Sequence, residues 1–337
     1  MPMEIRKVQK TGVSTLTVSL PKGWAEAQGL KPGDPVEMIV LKDGSLSLRS
    51  AASRREAPET RQVWVKSEES PAHLTRKLIA AYLSGHNIIE VRSKERLDFE
   101  MKREIKEFSR LTIGPEVIEE TANTVVLHDL SDPSELPQRK CIRRMHLLVS
   151  SMHADAITSF ETGDEALAKD VIERDFDVDR LYLMVVKQFN LLIRDRSISD
   201  RIGSDIEEGM HLMLAARPLE RIGDHAEKIA RNAMLRGGGE ADPSVARRMR
   251  ELSRRALSVL EEAVKAMFRR DVEEANRAID EGNAVVRDCE DLRGSMELSG
   301  REGVIEDAIL DSIIRTSMYA VDIGETAINM AMTGDSD

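Results

Sequence analysis

The chain has 337 residues, enough for two or three domains, with 49 Lys plus Arg against 60 Asp plus Glu and a net charge of −11. Aromatic residues make up only 3% against 32% charged, and Met contributes 16, a composition that favours helices packed on Leu, Ile, Val, Met and Ala over strand-rich cores. No apolar run approaches the roughly 20 residues of a membrane helix, the N-terminus MPMEIRKVQK lacks a signal-peptide core, and two cysteines, Cys141 and Cys289, argue against a disulfide framework or a cysteine-based zinc site, so the expectation is a soluble, cytoplasmic protein.

Residues 1–57 carry a net charge of +3 and the remaining 280 carry −14, a mildly basic head on an acidic body. Within the head, Ser14–Leu20 alternates and is β-branched, which predicts a strand. Pro21 then suits the first turn of a helix over Lys22–Gln28, closed by Gly29. A turn at Lys31–Asp34 leads to a strand at Val36–Leu41, and Asp43-Gly44 joins it to Leu46–Arg49 as a tight hairpin. So small a segment is marginal alone, which predicts dimerisation. Residues Arg6–Lys10, Ser19–Trp24, Gly29–Asp34 and Asp43–Ser45 resemble the AbrB/SpoVT family of swapped-hairpin DNA-binding domains. The resemblance implies that two chains interleave their hairpins and that Arg6, Lys7, Lys10 and Lys22 contact DNA. A domain kept only for dimerisation is the competing reading.

Residues 51–60 read as a linker, AASRREAPET. Strands are predicted at Arg61–Lys66, Asn87–Arg92 and Thr124–His128, with helices from Ser70 to Leu83 and from Asp98 to about Ser109 between them. This βαβαβ order predicts a small α/β domain over 61–130. It holds no glycine-rich phosphate loop and no paired nucleophile and base, and its role is not legible.

From 138 to 335 the periodicity is helical. Leu167, Val171, Val178, Leu181, Val185 and Leu192 form one apolar stripe, and Met249, Leu252, Ala256, Val259, Ala263 and Met267 another. Breaks at Thr162–Asp164, Ser197–Ser204, Gly237–Pro243, Arg270-Asp271 and Ser299–Gly303 divide the region into six helices, three on each side of Gly237–Pro243. Arg217, Asp224 and Glu227 recur as Arg315, Asp322 and Glu325 at an offset of 98, and Val171-Ile172-Glu173 matches Ala278-Ile279-Asp280. Together these predict a duplication. The fold expected is therefore multidomain and mainly α: a small β swapped-hairpin domain at 1–50, a small α/β domain at 61–130, and a tandem pair of three-helix bundles at 138–236 and 244–335.

Glu220, Asp224 and Glu227, at i, i+4 and i+7, share one helix face, where like charges repel unless something neutralises them. Arg217, Arg221 and Lys228 are candidate neutralisers, as is a metal ion; hard oxygen donors suit iron, zinc, manganese or magnesium alike. Glu173, Asp175, Asp177 and Asp179 on the preceding helix are a facing set. A solvated, salt-bridged acidic face is the alternative. The segment Arg217–Ala230, its degenerate copy Arg315–Asn329 and VIERDFDVDRL at 171–181 resemble the PhoU family of phosphate-uptake regulators. The resemblance implies two similar bundles whose acidic motifs bind metal, with Glu220, Asp224, Glu227, Glu173, Asp175 and Asp179 as ligands in the first and Asp322 and Glu325 in the second. Met318 stands where Glu220 would recur, and Gly282, Ala284 and Val286 stand for Asp175, Asp177 and Asp179, which puts the second site in doubt. Pro218 predicts a kink just before Glu220.

By resemblance the protein is a negative regulator of phosphate uptake and phosphate-responsive gene expression, contacting the phosphate transporter ATPase and a sensor kinase where one exists, with DNA as a partner of the head. A metal- or ligand-responsive transcriptional regulator unrelated to phosphate is the second reading. An enzyme of the di-iron type is disfavoured, since the sequence has one Glu-x-x-His pair, Glu208 and His211, and no second.

Overall fold

The computed structural model describes residues 4–40, 44–50, 59–66, 68–194, 198–237, 242–296 and 300–333. The chain forms two compact units, 1–59 and 60–337.

In the first unit, β1 (Gln9–Thr11) pairs antiparallel with β2 (Thr15–Thr17) around Gly12, whose positive φ the turn requires. The strand expected over 14–20 is thus shortened to its centre, and its partner β1 escaped the sequence reading because Gln9-Lys-Thr11 has no apolar alternation. Helix α1 (Lys22–Ala27) follows, then β3 (Val36–Val40) pairs antiparallel with β4 (Leu46–Ser50). Asp43 and the expected linker residues 51–58 lie outside the described residues. None of the residues of α1 is buried, and Ile5, Val13, Leu16, Met38 and Val40 are all more than 60% exposed. Two hairpins with uncovered apolar faces do not make a core of their own.

The second unit begins with a four-stranded sheet. Strand β5 (Thr60–Val65) and β6 (Ile88–Ser93) are parallel, with α2 (Pro71–Leu83) between them. Helix α3 (Phe99–Leu111) leads to a hairpin, β7 (Pro115–Glu120) and β8 (Thr124–Asp129), giving the order β5-β6-β8-β7. Both helices start at side-chain caps, Ser70 Oγ accepting from His73 N and Asp98 Oδ1 from Met101 N. The expected βαβαβ is therefore βαβαββ. The extra strand, PEVIEE, opens on Pro and carries three Glu, the composition of a protected sheet edge, which hides it from an alternation test. Val63, Val91, Val125 and Leu127 pack with Leu74, Leu78, Tyr82, Ile105 and Phe108 in a core of their own.

The helical body has α4 (Gln138–Thr162), α5 (Glu165–Arg194), the single turn α6 (Ser199–Ile202), α7 (Ile206–Leu235), α8 (Pro243–Arg269), α9 (Val272–Ser295) and α10 (Gly300–Thr333). Helices α4, α5 and α7 pack together, as do α8, α9 and α10, and the two sets meet through α4 against α8 and α7 against α10. One continuous core runs through both. At that seam the buried His153 of α4 lies 3.1 Å from Ser253 Oγ of α8. One boundary differs from expectation: α10 already begins at Gly300, so Gly303 is helical and buried; Pro218 lies within α7, as expected. Residues 238–241 of the expected linker between bundles lie outside the described residues.

Polar contacts fasten the α/β module to α5. Lys187 pairs with Asp129, both buried, and its ammonium lies 4.6 Å from the Tyr82 ring centroid. Asn190 Nδ2 donates to Leu83 O at 2.7 Å and Arg194 Nη1 to Ser84 O at 2.5 Å, meeting carbonyls that the end of α2 leaves without intrahelical partners. A buried pair of this kind is destabilising to break, because the survivor is left unpaired.

Two glycines of α9 test the packing of the second bundle. A Cβ on Gly282 would meet Val321 Cγ2 at 2.5 Å, whereas one on Gly294 would meet nothing within 4 Å. Gly282→Ala is expected to cost about 1–3 kcal/mol through overpacking, and Gly294→Ala to gain up to about 1 kcal/mol from helix propensity. Urea denaturation of both variants checks the opposite signs.

Candidate metal centre and nucleic-acid face

Of the residues expected to touch DNA, Arg6, Lys7, Lys10 and Lys22 are all exposed. Arg6 is already engaged within its own unit, pairing with Glu4 at 2.5 Å and donating to Ser19 Oγ at 3.0 Å. Lys10 lies on β1 opposite Leu16, and Lys22, in the first turn of α1, is 3.7 Å from Glu26.

The carboxylates of α5 and α7 are brought into one electrostatic field. The α5 pair, Asp175 and Asp179, faces Glu220, Asp224 and Glu227 of α7. Burial is the main cause that pushes the Asp175 carboxyl up to about 7, and the charges of Asp179, Glu227, Asp224 and Glu220 add to it. Asp179 rises to about 6 through burial and then Asp224 and Glu227. Glu220 is raised by burial and Asp224, against the opposing pull of Arg217 and Arg221. Asp175 Oδ1 and Glu220 Oε2 are buried without a hydrogen-bond partner. The close approach of the helices depends on Gly223, where a Cβ would meet Asp175 Oδ1 at 3.0 Å and Val178 Cγ1 at 3.4 Å.

The arginines form ion pairs only with the α7 carboxylates, although the Arg217 charge also opposes the rise of Asp179. Arg217 is 3.2 Å and Arg221 3.7 Å from Glu220, Arg221 is 2.8 Å from Asp224, and Arg231 is 2.5 Å from Glu227. Arg231 was missed by sequence reading, although its i+4 spacing from Glu227 signals the pair. Lys228 instead reaches across to Asp311 of α10 at 3.3 Å. Among the described residues neither Asp175 nor Asp179 has an ion-pair partner. With the α7 carboxylates turned to arginines, the donors line a face rather than converge, and among the described residues no three His, Cys, Asp or Glu side chains form a ready-made chelate.

Glu173 is not brought to this face. It is exposed and lines a cleft shared with α3 and β7, while Asp177 turns to Arg180 at 3.8 Å. In the second bundle Asp322 and Glu325 are both exposed, with Asp322 raised by burial and by Glu325, and Met318 is 42% exposed beside them. At the positions matching Asp175 and Gly223 stand Gly282 and Val321, so large and small have changed helices and the carboxylate is replaced by an isopropyl group. The Glu-x-x-His pair is committed elsewhere: Glu208 pairs with Arg139 and His211 Nε2 lies 3.2 Å from Thr333 Oγ1. Among the described residues no helix is long and apolar enough to cross a membrane.

In comparison with known proteins, residues 142–233 match the model described as PhoU domain and residues 9–56 the one described as antidote-toxin recognition MazE, bacterial antitoxin. The chain is 29% identical to the phosphate-specific transport system accessory protein PhoU of Escherichia coli strain K12 over 46% of its own length and 62% of the relative's. It is 30% identical to the protein of the same name from Serratia marcescens over 43% and 58%. The matches thus span less than two thirds of these relatives. Among solved structures, PhoU from Pseudomonas aeruginosa aligns with a TM-score of 0.48 at 23% identity, covering 58% of this chain and 96% of that one.

The carboxylate field has a thermodynamic signature. A carboxyl whose folded pKa is raised binds protons more tightly in the folded than in the unfolded chain, so its cost is absent below the unfolded value near 4 and complete above the folded value of about 7. Asp175→Asn is therefore expected to stabilise the metal-free protein at pH 8 by about 1–3 kcal/mol, after discounting for partial exposure, and to leave it unchanged near pH 4. Denaturation in the presence of a chelator at the two pH values checks this.

Proposed function

Taking the PhoU domain at 142–233 as the premise, we propose that the protein is a negative regulator of phosphate uptake and of phosphate-responsive gene expression, acting as an adaptor on the phosphate transporter. The observations that carry the reading are the match of residues 142–233 to the PhoU domain and the likeness of the chain to relatives named as accessory proteins of phosphate-specific transport. Its partners are the transporter ATPase and, where one exists, a sensor kinase.

The α5–α7 face supports a metal role in that function. Asp175, Asp179, Glu220, Asp224 and Glu227 would hold the ion, which would supply positive charge where two carboxylates now lack any counter-ion. The unpartnered oxygens of Asp175 and Glu220 and the glycine that admits the first of them fit such a ligand. Oxygen donors of this kind suit iron, zinc, manganese or magnesium. In the second bundle, where Gly282, Val321 and Met318 replace donors or their setting, Asp322 and Glu325 alone make a poorer site. The head, with its exposed basic residues and uncovered apolar strands, serves as a homodimer that binds DNA through Arg6, Lys7, Lys10 and Lys22. The same head on a metal-binding body also suits a transcriptional regulator unrelated to phosphate.

The double variant Glu220→Ala/Asp224→Ala is expected to lose its bound metal, by elemental analysis, while its helical circular dichroism stays unchanged; full metal content would remove these residues from the site. Co-purification from the native host is expected to retain the transporter ATPase in a phosphate-dependent way. Recovery of promoter DNA without the ATPase would turn the assignment to the second reading, and such DNA affinity is expected to fall steeply with salt.

A further inference from the structure

The cleft that takes up Glu173 has a composition of its own. It is an open groove of about 850 Å³ between α3, β7 and α5, at the junction of two modules, where small-molecule sites are common. Its floor on α5 carries Phe176, an aromatic ring 40% exposed to solvent.

The cations around that ring are weakly committed. Arg180 reaches Asp177 only at 3.8 Å and Thr112 O at 3.4 Å, its buried Nε has no acceptor, and its guanidinium sits 5.9 Å from the Phe176 ring centroid, so a base stacked on that ring would lie beside it. Lys106 is 3.5 Å from Glu120, a carboxylate that already has Lys102 at 2.7 Å. Arg110 is paired with Glu107 of its own helix, both of them exposed, a kind of contact worth little in water. Redirecting these groups toward an anion therefore costs little. On the same walls Glu116 and Glu173 make no ion pair with any described residue, which leaves two carboxylates to accept hydrogen bonds from hydroxyl groups.

A ring for stacking, under-used cations and free carboxylate acceptors together describe a molecule with a planar base, a diol and a phosphate. We propose that this cleft binds a nucleoside monophosphate, with the base on Phe176, the ribose hydroxyls donating to Glu173 or Glu116, and the phosphate held by Lys106, Arg110 and Arg180. A carboxylate taking ribose hydroxyls is the same solution that dinucleotide-binding folds use. The three glutamates that line the cleft, Glu107, Glu116 and Glu173, disfavour the higher charge of a polyphosphate. The site stands apart from the carboxylate face of α5, which points to α7, and it does not depend on the metal or uptake readings.

The test is calorimetric titration of the full chain with AMP, adenosine and inorganic phosphate. AMP is expected to bind, and more tightly than either fragment alone. Phe176→Ala and Lys106→Gln/Arg110→Gln are each expected to weaken AMP by about 10-fold or more, equivalent to the loss of about 1.4 kcal/mol. The lysine and arginine variant alters exposed side chains only, so it reports on the site even if the phenylalanine variant folds poorly. No AMP binding up to millimolar concentration, binding that neither variant weakens, or phosphate alone binding as well as AMP would each overturn the proposal.

Discussion

Helix α5 is packed on two sides at once, and most of the molecule's organisation follows from that constraint. Its Ala168, Val171, Val178, Leu181 and Val185 stripe is sealed into the three-helix core. Toward its C-terminal end, Lys187, Asn190 and Arg194 reach outward to Asp129 and to the last carbonyls of α2. The α/β module is thereby fastened to the first bundle by groups that cannot let go cheaply, since the Lys187 and Asp129 side chains are only 3% and 7% exposed. The same helix presents Asp175 and Asp179 to α7 and Glu173, Phe176 and Arg180 to α3 and β7. Two chemically different surfaces thus share about two turns of helix.

The carboxylate face is held together against its own repulsion. Three arginines on α7 pair with Glu220, Asp224 and Glu227, and of these Arg217 also reaches α5, over the Tyr182 ring at 5.4 Å, without making an ion pair there. The folded core fixes Asp175 close to Gly223 regardless of its charge, so the cost of crowding appears as raised carboxyl pKa values rather than as separation of the helices. The second bundle shows what happens without that demand. With Gly282 opposite Val321 the same helix approach is filled by hydrocarbon, and the remaining acids face solvent.

The N-terminal unit obeys a different economy. Its hairpins are well formed, and Gly29 closes α1 with Leu30 N donating to Ala25 O at 3.0 Å, but their apolar side chains have nothing in the same unit to cover them. A chain that keeps Ile5, Val13, Leu16, Met38 and Val40 in water loses the hydrophobic gain that ordinarily offsets the entropy of ordering. The shape of the hairpins is local, and their apolar faces find no cover among the described residues of the unit.

Much was legible from residue order alone. The helical stripes, the caps at Ser70 and Asp98 and the stop at Gly163 depend on neighbours within one or two turns, and such short-range rules survive folding intact. Strand β7 was not legible, because its pairing with β8 is a tertiary fact and its composition is that of an edge. The parting of Glu173 from Asp175 does follow from the helical period, which turns residues two apart to nearly opposite sides, but only the packing of α7 on one side and of α3 with β7 on the other decides which carboxylate meets a carboxylate and which meets a cleft. The sequence by itself determined which elements form and which residues share a helix face, since those follow from a fixed helical period; the partners of each face were decided by tertiary structure, because they depend on what the rest of the chain brings within a few ångströms.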